Sequence, residues 1–77
     1  MHVIVDLFAD LRKFHPGNST FEIEIEPGSR VAELVMMTGI PPEYPIMVVI
    51  NEKMAATEDT LRDGDRVGLF SPMGGGR

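Results

Sequence analysis

Val3, Val5 and Leu7 alternate with Ile4, Asp6 and Phe8, a period of two that predicts a β-strand with the valine and leucine face in a core. The opposite face carries Ile4 and Phe8 and is expected to be apolar and partly exposed. Residues 9–14 suit a helical turn, but Pro16 disfavours helix before it and Gly17-Asn18 favours a turn, so a hairpin loop is the simplest expectation. Phe21, Ile23 and Ile25 then alternate with Glu22, Glu24 and Glu26, the cleanest half-buried strand in the chain, and Pro27-Gly28 ends it.

The period then lengthens. Val31, Leu34 and Val35 stand at i, i+3 and i+4, one apolar stripe of a helix. Ser29 is placed to cap its free N–H groups, and alanine at position 32 leaves the full capping box absent. The helix is expected to stop near Thr38, with Gly39 in the left-handed cap conformation and Pro41-Pro42 unable to continue it. Residues 46–50 are a continuous apolar run, the mark of a strand covered on both faces or central in a sheet with a helix on one side. Asn51-Glu52-Lys53 reads as its turn, 54–60 as at best a short edge strand, Leu61 as a core plug and 62–65 as another turn. In the last strand, 66–70, Val67 and Leu69 point one way, Gly68 and Phe70 the other. The first and last strands both end in a phenylalanine on the non-core face and are expected to be neighbours. Strand, strand, helix, strand, weak strand, strand is an α+β order, with one main helix packed across a mixed four- to five-stranded sheet.

Composition narrows the function. Seventy-seven residues make one domain near the lower limit of what folds without staples. The absence of cysteine removes disulfides, zinc ribbons, iron–sulfur clusters and thiol nucleophiles, and fits a cytoplasmic protein. Asp6 and Asp10 interrupt the first apolar run before it reaches signal-peptide length, and no stretch approaches the roughly 20 residues that span a bilayer. A net charge of −5 opposes nucleic acid and favours a basic protein surface as partner.

Catalytic and metal chemistry find little support. Glu22, Glu24 and Glu26 share one strand face, but nothing apolar interleaves to raise a carboxyl pKa, so they read as a solvated face. His2 and His15 have no ligand spacing, and Ser19, Ser29 and Ser71 no nucleophile elbow. The expectation is no catalytic residue and no metal site. Gly74-Gly75-Gly76 is not a phosphate loop, since no helix and no Lys-Ser/Thr follow it. Three glycines in a row are costly to order, so a core has no use for them.

Four blocks carry a resemblance: Val5-Asp6-Leu7-Phe8-Ala9-Asp10-Leu11-Arg12, the Asn51-Glu52 turn, Leu61-Arg62-Asp63-Gly64-Asp65-Arg66-Val67-Gly68-Leu69-Phe70-Ser71-Pro72, and the terminal glycines. Together they resemble the MoaD/ThiS family of ubiquitin-like sulfur carriers over essentially the whole chain. The resemblance implies a β-grasp domain over residues 1–71 and a glycine-rich tail over 72–77. It implies that an adenylating enzyme, using ATP and magnesium, activates a C-terminal glycine carboxylate, which becomes a thiocarboxylate for a sulfur-accepting synthase of thiamine, molybdopterin or amino-acid biosynthesis. The carrier then binds no cofactor and performs no catalysis. Gly76 and Gly75 become the site, and Phe8, Phe70, Pro72, Met73 and Gly74 the partner-binding residues. Fully extended, residues 71–76 reach about 20 Å, enough to enter a neighbouring active site.

Arg77 departs from the family pattern, in which the paired glycines are last; it implies trimming, as by a metalloprotease, or a member that has lost the chemistry. Two other functions fit the same tail: a modifier joined to lysines of target proteins, and a non-covalent interaction module with an idle tail.

Overall fold

A computed structural model describes residues 1–15 and 17–72. Its elements are β1 (His2–Leu7), a 3₁₀ helix (Ala9–Phe14), β2 (Thr20–Glu24), α1 (Val31–Met37), β3 (Met47–Ile50), β4 (Lys53–Ala55) and β5 (Arg66–Phe70). The strands form one sheet in the order β2-β1-β5-β3-β4. β1 and β2 are an antiparallel hairpin that sets Val3 opposite Ile23 and Val5 opposite Phe21. β5 runs parallel to β1, with Val5 opposite Val67 and Leu7 opposite Leu69. Parallel neighbours need a long crossover, and the chain between them supplies it through α1, β3 and β4.

Alternation decides which side of the sheet α1 covers. Val3, Val5, Leu7, Val67 and Leu69 are at most 1% exposed and share one buried cluster with Val31, Leu34 and Val35 of α1. Leu61, expected as a core plug ahead of the turn over 62–65, joins the same cluster at 2% exposure. Thr38 follows the helix, its hydroxyl donating to the Val35 carbonyl at 2.6 Å, and Gly39 adopts φ +90°. That left-handed conformation suits glycine alone among the nearby residues.

Four expectations are corrected. The loop over 9–14 is a 3₁₀ helix, because Leu11 is drawn fully into the core and its N–H is satisfied by the Phe8 carbonyl at 3.0 Å. Ser29 does not cap α1. Its N–H and carbonyl are engaged by Glu26 and Leu61, so Arg30 is the N-cap and the Glu33 carboxylate accepts the Arg30 N–H at 2.6 Å. The third strand begins at Met47 and only Val48 is fully buried, which selects the one-sided reading of that apolar run. Lys53 opens β4 rather than completing a turn, leaving Asn51 and Glu52 as a two-residue hairpin turn with φ +51° and +72°.

Candidate functional site

The sheet face away from α1 carries the candidate site. Register sets Asp6, Gly68 and Val49 side by side on three adjacent strands, with Met54 next to Val49 on the edge. Phe70 stands opposite Met47. A groove of about 800 Å³ runs over this face, lined by Phe8, Val49, Gly68 and Phe70, with Asp6, Arg66, Asn51 and Glu52 at its polar end.

Gly68 makes the groove possible. A Cβ there would lie 3.2 Å from the Phe8 ring, closer than an unshifted neighbour tolerates, so the missing side chain lets Phe8 lie across β5. Phe8 is tethered by its N–H to the Leu69 carbonyl at 3.1 Å and stays 46% exposed.

At the polar end Arg66 clamps Asp6 with two N–H groups, Nε to Oδ2 at 2.7 Å and Nη2 to Oδ1 at 3.2 Å, while the Thr20 hydroxyl donates to Oδ1 at 2.7 Å. The Arg66 hydrogen bond outweighs the opposing effect of burial. With the Thr20 bond and the guanidinium charge, it holds the Asp6 carboxyl below its ordinary pKa. A fork of two donors on one carboxylate also fixes direction.

The Asp-Gly-Asp motif is structural. Asp65 is 8% exposed, accepting the Arg62 N–H at 2.9 Å and the Asn51 side-chain N–H at 3.0 Å. Gly64, at φ +87°, donates to the His2 carbonyl at 2.7 Å, and Asp63 accepts the His2 N–H at 2.8 Å. These bonds pin the start of β5 to β1.

Phe8 and Phe70, both expected at a docking surface, line the groove together. Ser71 is buried at 7% exposure and Pro72 is exposed. Met73, Gly74, Gly75, Gly76 and Arg77 lie outside the described residues. Glu22, Glu24 and Glu26 are exposed, and Glu24 stands 3.9 Å from the His2 ring. Gly68, Val49 and the Asp6–Arg66 clamp were not assigned a site role from the sequence, and Glu52 was noted only as part of the Asn51-Glu52 turn that carries the resemblance. Alternation puts Asp6 and Arg66 on the non-core faces of strands expected to be neighbours, but only the register brings them into contact. Among the described residues no group of three His, Cys, Asp or Glu is placed to hold a metal ion, and no helix is long and apolar enough to cross a membrane.

A hairpin, a helix lying across the sheet and a central parallel pair of first and last strands define the β-grasp, or ubiquitin-like, fold. The family model of the ThiS family matches residues 5–76, and the chain belongs to this family of ubiquitin-like sulfur carriers. Its carrier proteins are substrates of enzymes rather than enzymes, and they carry no bound cofactor.

Similar solved structures include small archaeal modifier protein 1 from Haloferax volcanii, with TM-score 0.76 and 24% identity over 92% of this chain and 97% of that one. A Pyrococcus furiosus protein assigned as subunit 1 of molybdopterin converting factor has TM-score 0.77 and 28% identity over 94% and 98% of the two chains. The third belongs to a complex of subunits 1 and 2 of molybdopterin-converting factor from Helicobacter pylori, with TM-score 0.64 and 22% identity over 99% and 100%. No curated protein sequence matches significantly.

Proposed function

We propose that this protein carries sulfur as a thiocarboxylate on Gly76 after Arg77 is removed. The observation that supports it most is the double duty of β5. Val67 and Leu69 are fully buried at the centre of the sheet, whereas Gly68 and Phe70 on the same strand line the open groove, and the chain continues from them into Pro72 and the glycines. A partner that covers the groove receives the tail from a rigid starting point, which reduces the entropy lost in positioning the carboxylate. On this reading residues 1–71 are the handle and 72–77 the working tail. Phe8, Phe70, Pro72, Met73 and Gly74 meet the partner, and Gly75 and Gly76 enter its active site.

The chemistry belongs to an adenylating enzyme. With ATP and magnesium it joins a Gly76 carboxylate oxygen to the α-phosphorus and releases pyrophosphate. A sulfur nucleophile then attacks the acyl carbon and AMP departs. Where a persulfide delivers the sulfur, a thiol reduces the acyl disulfide and frees the thiocarboxylate. Glycines suit this passage because they have no side chain to obstruct a narrow channel. A sulfur-accepting synthase in the cytoplasm, serving thiamine, molybdopterin or amino-acid biosynthesis, consumes the product, and a metalloprotease is the candidate for trimming Arg77.

Intact-mass spectrometry of the protein from its native cell tests the proposal. The expected product lacks the mass of arginine and gains the difference between sulfur and oxygen. An arginine terminus retained under all growth conditions would sink it. The likeness to a small archaeal modifier protein supports a second reading, in which the same adenylate is passed to lysines; isopeptide-linked peptides ending in Gly76 would select that one.

A further inference from the structure

We infer that Glu52 is a specificity-determining contact of the groove, its carboxylate pairing with a cationic side chain of the adenylating enzyme; the inference rests on the docking reading above. Among the described residues three other than glycine have positive φ: Ala9, Asn51 and Glu52. Asparagine tolerates this conformation, and Asn51 is further held by three hydrogen bonds. Its side chain donates to Asp65 at 3.0 Å and accepts the Arg66 N–H at 3.0 Å, while its own N–H meets the Arg66 carbonyl at 2.9 Å.

Glu52 has no such account. It occupies the second position of the two-residue turn, at φ +72°, where glycine is the favoured residue and any side chain is strained. Its carboxylate makes no hydrogen bond or ion pair among the described residues. A strained side chain without a use in its own fold stands at the rim of the groove.

Charge identifies what it meets. Of the charged residues lining the groove, Asp6 and Arg66 neutralise each other, which leaves Glu52 uncompensated. Lys53 is next in the chain but pairs in register with Ile50, while Met54 shares the row of Val49, so the lysine belongs to the other face of β4. The groove is therefore an apolar surface with one uncompensated negative charge at one end, while Glu22 and Glu24 stand on the same sheet face but on β2, outside its lining. A complementary cation there sets the orientation in which a partner settles and speeds its encounter.

The test uses the complete chain and the adenylating enzyme of the same organism, with Kd measured by calorimetry at low and high salt. Glu52→Gln keeps the strain and removes the charge; it raises Kd about fivefold at low salt, a difference that shrinks as salt screens the pair. Glu52→Gly weakens binding equally while raising Tm, because glycine relieves the turn. A purely structural role would move neither the salt dependence nor stability and affinity in opposite directions. Glu52→Gln within twofold of wild type at both salt concentrations overturns the inference. Phe70→Ala separates the two levels: if it weakens binding and Glu52→Gln does not, only this inference fails, and if neither does, the docking reading falls with it.

Discussion

The two faces of β5 lie on one strand of five residues yet answer to different demands. On the helix side Val67 and Leu69 are completely buried against α1 and β1, and each atom is held by neighbours that cannot follow it if it is removed. On the open side Gly68 and Phe70 border a groove in which Phe8 is nearly half exposed. A folded domain of this size has little apolar surface to spare, and on the proposed reading this aromatic face is the one a partner covers. Substitutions on the first face should change stability, and those on the second affinity.

The sharpest attack on this contrast is Leu69→Ala, which removes a fully buried side chain at the central parallel pair. It should cost about 2–5 kcal/mol, read as a lower urea midpoint, a large share of the stability of so small a domain. Phe70→Ala, one residue on, should cost about 1–2 kcal/mol because less area is lost, yet raise Kd for the adenylating enzyme about tenfold. An unchanged Kd beside a collapsed Tm would reverse the assignment of the two faces.

The smallest effect concerns the clamp at the polar end. The folded-state pKa of Asp6 lies below its ordinary value of 3.8, so the carboxylate contributes stability above that value and loses it as pH falls through the folded value. Wild type should exceed Asp6→Asn modestly in urea midpoint at pH 7, the exposure of Arg66 keeping the gain small. The difference should vanish in strong acid, and one that persists there would assign Asp6 a role other than its charge.

Legibility in the sequence followed the range of the forces involved. β5 is found at the residues its alternation predicts, and α1 stops where Thr38, Gly39 and the prolines say it must, because these signals act within a few residues. The start of α1 was misread by one residue. Ser29 has the right side chain for a cap, but its backbone is claimed by Glu26 and by Leu61, more than 30 residues away, which no local rule contains. The 3₁₀ helix was missed for a related reason, since only the core shows that Leu11 has a place to go. At the site, Phe8 and Phe70 were visible as apolar residues on the non-core side. The clamp was not, because Asp6 and Arg66 are 60 residues apart.

Sequence alone determined β1, β2, β5 and the body of α1 with their inward faces, and the glycine run after the last strand, together with the family these residues match. Each of these follows from side-chain periodicity, backbone freedom or motif, properties that a short stretch of chain possesses by itself. The tertiary structure decided that β5 enters parallel beside β1, that Gly68 thereby yields its space to the Phe8 ring, and that Arg66 closes on Asp6. It also left Glu52 as the uncompensated charge at the groove. Those outcomes depend on register between distant strands, and register is settled only when the whole hydrophobic face is buried at once.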